Sequence, residues 1–306
     1  MSWLSSPALE SPPSLRPTLE PLCAHLGLPA LAPVAHLAIY SCLASFALQK
    51  LSAILSPVLA KGYYPPLKHK RDDWDLHIVG WAFSLVATPL AFHLIRHPSP
   101  ELAQDPLYGS ALREERLSAI AVGYFIWDAI VSFRHIRTQG LGFFLHGFGC
   151  CLAFLFTLRP FLLWCGPNFL IWELSTIFLN FHWFCDKFKM TGSKAQMING
   201  VFLVSAYIGA RLCYGSYNSF KLFRMLFSSA SDLSKSQQEA TGWIRYLFVC
   251  LNLTMNGLNM FWFRAMVMAL KKRFSPASGS KSAQHEAIQI DGKLNWNKNK
   301  GARKDE

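Results

Sequence analysis

Charged residues are scarce. Asp, Glu, Lys and Arg make up 16% of the 306 residues, against about 25% in an average soluble domain. Hydrophobic residues make up 52%, and mean hydropathy is +0.22. This balance excludes an ordinary soluble surface and fits a chain that lives among lipid tails. Metal-type cysteine spacing is also lacking. The eight cysteines form no CxxC, and no Cys/His set has zinc-site spacing, so neither a metal nor a cofactor is expected. Most of these cysteines lie in or beside apolar runs, as small buried hydrophobes do. A basic segment ahead of the first apolar run is missing as well. That run starts only near Val34, so the expectation is a retained membrane helix, not a cleaved leader. Net charge is +12, but the basic residues sit in the loops and tail between apolar runs. Membrane topology explains them, and no nucleic-acid partner is expected.

What is present is a series of long apolar runs. The pattern predicts an all-α polytopic membrane protein with seven transmembrane helices, near 34–55, 75–95, 117–133, 141–163, 167–187, 197–214 and 243–270. Residues 1–33 hold seven prolines and read as a disordered lumenal N-terminal tail. Residues 34–55 form the first span, 68–273 a domain of six helices, and 274–306 a disordered cytosolic tail. Eighteen basic residues outside the spans collect on one side and eight on the other. The richer side is assigned to the cytosol, which leaves the N-terminus lumenal and the C-terminus cytosolic. Arg303 and Lys304 stand fourth and third from the end. Their placement resembles a dibasic retrieval signal read by a coat on endoplasmic-reticulum membrane proteins.

Polar groups inside the apolar runs are the candidate site. A carboxylate near the middle of a spanning helix costs about 2.5–3.5 kcal/mol on insertion scales. Glu173 in the fifth run therefore needs a partner, and Arg211 in the sixth, at similar depth, is predicted to form a structural ion pair with it. Asp128 in the third run, His146 in the fourth and Asn180 in the fifth are placed at one depth in the cytosolic half. In the seventh run Asn252, Asn256 and Asn259 share a stripe with Arg245 and complete a polar lining. Asp128, His146, Asn180, Asn252 and Asn256 are the predicted lipid-binding set. His182 points away from Glu173 and is the weakest of the polar groups in its run.

The stretch W-E-L-S-T-I-F-L-N-F-H-W-F-C-D-K, residues 172–187, resembles the signature of TLC (TRAM/LAG/CLN) domains. The shared residues are Glu173, Leu174, Ser175, Thr176, Phe178, Leu179, Asn180, Trp183, Phe184, Asp186 and Lys187, with Ile177 where that family often has Pro. Gly123, Tyr124, Phe125 and Asp128 meet a second pattern, and Phe143 or Phe144 with His146 meets part of a third. The resemblance covers about 68–273 and implies a TLC-type bundle. It also implies two functions. Ceramide synthases of the family join acyl-CoA to a sphingoid base through a His pair and an acidic motif. By that route His146 is the candidate base and Asp128 the group that orients it. This chain has Gly147 where the second His stands, and no His-Asp dyad precedes Glu173. It therefore resembles the non-synthase branch, linked to membrane lipid composition or to endoplasmic-reticulum trafficking. The expectation is an endoplasmic-reticulum protein of lipid homeostasis that binds a sphingolipid or phospholipid in its bundle. The alternatives are an acyl-CoA-dependent N-acyltransferase and a trafficking adaptor.

Overall fold

The long apolar runs become helices, and a computed structural model of the chain describes residues 3–228 and 235–274. Every regular element among these residues is helical. Four helices are long and apolar enough to cross a membrane: α2 (Ala35–Leu59), α3 (Lys68–Arg96), α5 (Leu112–Arg134) and the continuous segment Lys194–Phe227. That segment is α10 (Lys194–Ala206), a π-helical stretch (Tyr207–Tyr214) and α11 (Gly215–Ser228) in succession. α1 (Arg16–His25) and α4 (Pro100–Gln104) are short connecting helices, and α6 (Ile136–Gln139) is a single turn.

Three of the seven predicted spans fall short of that standard, each for a local reason. α7 (Leu141–Thr157) is apolar but stops well before residue 163. Its chain leaves the helix through Leu162, which adopts φ 59°, a region side-chain-bearing residues rarely occupy. That conformation is held by the wholly buried Leu162 side chain and by its N–H, which donates to the Leu107 carbonyl at 2.7 Å. The run 167–187 is not one α-helix. It comprises α8 (Cys165–Leu170), a 3-10 turn (Ile171–Glu173) and α9 (Leu174–Lys187). α12 (Lys235–Phe274) has ample length, but its asparagines dilute its apolar character.

The N-terminal region also differs from expectation. Residues 3–33 are not a free tail but short helical turns and α1 laid against the bundle. Leu4 is buried in the main core, Arg116 Nη1 donates to the Leu4 and Ser6 carbonyls at 2.6 and 3.1 Å, and the Ala30 N–H donates to the Leu158 carbonyl. Proline frequency reports only local backbone preference, whereas these bonds come from residues over a hundred positions away. The predicted tail lies outside the described residues from position 275 onward, and with it Arg303 and Lys304.

α5 runs through the centre of the bundle, with α2 on one side and α7 on the other. Gly123 makes the first contact possible: a Cβ there would lie 2.0 Å from the Ala38 carbonyl oxygen of α2. Gly147 does the same at α7, where a Cβ would lie 2.5 Å from Asp128 Oδ2. α2 by contrast turns Ile54, Val58 and Leu59 outward, the first two 68% and 73% exposed. That apolar face suits lipid tails.

Candidate functional site

The 3-10 turn that interrupts the run 167–187 swings Trp172 and Glu173 into the bundle. The helix that follows carries Ser175 and Thr176 on the same side, and the π-helical stretch places Arg211 opposite them. A π-helical turn adds a residue to the helix and rotates the side chains beyond it. Arg211 Nε donates to the Trp172 carbonyl at 3.1 Å and to Ser175 Oγ at 2.8 Å, Nη1 donates to Asn259 Oδ1 at 3.0 Å, and Nη2 donates to Thr176 Oγ1 at 3.2 Å. Nη2 also lies 3.9 Å from Glu173 Oε1, and the guanidinium stands over the Tyr207 ring. The guanidinium is thus bonded on every nitrogen in a site shielded from water, which offsets the cost of burying it.

Beside this knot lies a cleft among α7, α8, α11 and α12. It holds about 650 Å³ of empty space, counting its open mouth, of which only about 60 Å³ admits the centre of a water molecule. It is therefore a narrow slot. Its walls are almost wholly apolar, with Phe125, Phe154, Phe169 and Met255 among them, while His146, Glu173 and Asn252 supply the polar positions. His146 packs edge-on to Phe125 and Trp262, and its Nδ1 is 3.8 Å from Cys150 Sγ. This is the composition of a pocket for an amphipathic ligand: an apolar slot with a few convergent polar groups.

The structure divides the predicted set. His146 and Asn252 line the cleft, and Glu173, read from the sequence as part of a structural pair, lines it with them. Asn256 sits one turn further along α12, where its amide donates to Ser219 Oγ at 3.0 Å and to Asn252 Oδ1 at 3.0 Å, so it orients Asn252. Asp128 is on α5 behind the cleft, against Gly147, and accepts from Ser132 at 3.4 Å. Asn180 does not join Asp128 and His146. Its Oδ1 meets His77 Nδ1 of α3 at 2.6 Å, and its amide donates to the Thr176 carbonyl. A similar depth along the membrane normal does not fix the direction around the helix axis, and α3 lies on that side of α9. His182 faces α10, close to Gly200.

His77 is the residue the sequence reading missed. It stacks on Trp183 with ring centroids 4.0 Å apart while it bonds to Asn180. A signal was present, since His77, Gly80 and Ser84 share one face of α3. Nearer the connection from α2 to α3, Tyr64 donates to Asp75 Oδ2 at 3.0 Å. Burial first, and the Asp75 carboxylate second, push the Tyr64 phenol up to about 12, so it stays a donor at any physiological pH. Among the described residues no three His, Cys, Asp or Glu side chains gather as they would around a metal.

Comparison with known proteins places the chain. The model of the TLC domain matches residues 73–268. An uncharacterized TLC domain-containing protein of Schizosaccharomyces pombe is 31% identical over 86% of this chain and 87% of its own length. Topoisomerase I damage affected protein 4 of Saccharomyces cerevisiae is 28% identical over 76% of this chain and 82% of its own. A second TLC domain-containing protein of that yeast is 30% identical over 65% and 63%.

Proposed function

The chain belongs to the TLC domain family, and from that premise we propose that it binds a membrane lipid in the cleft and acts in lipid homeostasis by doing so. The observation that carries this reading is the slot itself. It is narrow, its walls are apolar, and His146, Glu173 and Asn252 offer polar groups to a headgroup or linkage. We further propose seven crossings, with α7, the 165–187 segment and α12 joining the four apolar helices. The N-terminus is then lumenal and the C-terminus cytosolic, in the endoplasmic-reticulum membrane. Arg303 and Lys304 would serve as the retrieval signal, and relocation on deleting residues 303–306 is the test of that address.

The same geometry weighs against the acyltransferase alternative. The second histidine of the synthase pattern would have to grow from Gly147, where even a Cβ comes within 2.5 Å of Asp128 and 3.0 Å of the Ala129 nitrogen. α5 and α7 would have to separate to admit it. One observation keeps the alternative testable, since His146 faces the cleft. The deciding experiment is mass spectrometry of lipid retained by the purified full chain. Wild type should carry a lipid, and Ala153→Phe, which fills the slot, should lower its occupancy at least tenfold without unfolding the protein. Equal lipid content in the two proteins would sink the reading. Acyl-CoA and sphingoid bases turned over by wild type but not by His146→Ala would replace it with the enzyme.

A further inference from the structure

A second cavity opens where α3 ends, α5 begins and the π-helical stretch passes into α11. It holds about 790 Å³ of empty space counting its open mouth, little more than the cleft, but it is wider. α8 forms the wall between the two: Pro167 and Asn168 face this cavity, whereas Gly166 and Phe169 face the cleft. The chemistry of the two spaces differs accordingly. The second cavity sets the polar groups Glu114, Asn168, Tyr214, Asn218 and Lys221 among apolar walls.

Three of these groups define what it would take. Asn218 is 1% exposed, and its Nδ2 donor has no hydrogen-bond partner. A buried amide left in that state calls for an acceptor. The Lys221 ammonium stands 4.3 Å from the centroid of the Trp164 ring, which fixes it at the cavity wall. Glu114, also 1% exposed, accepts from Ser99 N at 3.1 Å and from Ser99 Oγ at 2.7 Å, and Arg113 Nη2 lies 3.7 Å from its Oε1, so Arg113 meets one oxygen of the carboxylate and leaves the other able to attract a cation. The Tyr214 hydroxyl donates to Asn168 Oδ1 at 2.5 Å and faces Asn218, while the Asn168 amide donates to the Trp164 carbonyl at 2.8 Å. The cavity therefore presents an unmet donor beside a cation, and a carboxylate with spare acceptor capacity. Tyr217 at its rim and Phe220 beyond it, both on α11, lie exposed next to Lys221, an apolar surface on which acyl chains can rest.

We propose that this cavity binds a zwitterionic phosphodiester headgroup, its phosphate on Asn218 Nδ2 and Lys221 and its ammonium toward Glu114. The site is separate from the cleft and stands whether or not the cleft holds lipid. Both signs of charge in one cavity favour a zwitterion over a purely anionic lipid. The Tyr217 and Phe220 surface indicates a bilayer lipid as the source.

The test uses the full chain in phosphatidylcholine nanodiscs that contain a phosphatidylcholine with a diazirine near its glycerol end. Crosslinks are mapped by mass spectrometry. Labelling should fall on residues 214–221 and drop at least fivefold in Asn218→Leu and in Lys221→Met. Lys221→Arg should restore most of it, and Ala153→Phe should leave it unchanged. Labelling that survives excess glycerophosphocholine assigns the headgroup to bilayer lipid. Labelling displaced by that soluble compound assigns the same chemistry to a free phosphodiester. Should Asn218→Leu fail to fold, the half-buried Lys221 decides. Unchanged labelling in folded Lys221→Met, or equal labelling by a phosphatidylglycerol analogue, overturns the proposal.

Discussion

The two sides of the bundle are joined in different ways. On one side α2, α5 and α7 meet through small residues, and at Gly123 and Gly147 there is no room for a single added carbon. On the other side α9, the π-helical stretch and α12 meet through Arg211 and the oxygens and carbonyl it binds. In lipid there is no water to expel between apolar helices, so close packing and hydrogen bonds must hold them. The first device leaves no space, because it works only when backbones touch. The second holds helices at the length of a side chain and so tolerates a gap. The cleft lies beside the polar knot, and this is the physical reason a ligand space exists there and not at the glycine seams.

The sharpest way to break this contrast is Arg211→Met. It removes all the donors at once and strands Glu173 and Asn259 in a dry interior. A loss of about 3–5 kcal/mol is expected, read as a fall in melting temperature of the purified protein. Glu173→Gln combined with Arg211→Met should recover a large part of that loss, because no charge is left unpaired. A double variant no more stable than Arg211→Met alone would show that Glu173 is not what the arginine compensates.

The glycine seam should respond next most strongly. Gly123→Ala places a carbon 2.0 Å from the Ala38 carbonyl and 2.8 Å from the Ser41 Cβ, so α2 must move away from α5. The expected cost is about 3 kcal/mol. Gly209→Ala, in the π-helical stretch with nothing near its added carbon, should cost far less. Backbone entropy favours alanine at both positions, so equal losses at the two glycines would mean that close approach to α2 is not what makes Gly123→Ala costly.

How much of this was legible in the sequence depends on which physical signal each feature leaves. The apolar helices announce themselves by length and composition, and α2, α3, α5 and the 194–227 segment fall where the runs place them. The interruption at Ile171–Glu173 leaves no such trace, because no proline or glycine marks it, and the run reads as one helix. The N-terminal turns were hidden for a different reason: their anchor is Arg116, and a contact over that separation has no local pattern. Within the site, His146 and Asn252 stood out as polar groups in apolar runs, and they do reach one cleft. Depth arithmetic addresses only position along the membrane normal and says nothing of azimuth, so it groups Asn180 with Asp128 and His146 although Asn180 turns to His77. Gly123 and Gly147 were seen as family positions, and only the helix separations reveal what they do.

The smallest effect is expected at that His77–Asn180 contact, and it tests where the ligand space ends. His77→Phe keeps an aromatic ring to stack on Trp183 but gives Asn180 Oδ1 no donor. Hydrogen bonds between membrane helices are worth about 0.6 kcal/mol on average and about 1.7 at most. Stability should therefore fall by about 1 kcal/mol, and Asn180→Leu by a similar amount, with the double variant barely worse than either, since both remove one bond. Lipid retained in the cleft should not change, because neither residue lines it. If His77→Phe emptied the cleft as Ala153→Phe is expected to, the ligand space would have to extend past α9 to α3. The close pairing of Asn180 and His77 would then belong to the cleft's binding site, and α9 would no longer mark the edge of the cleft.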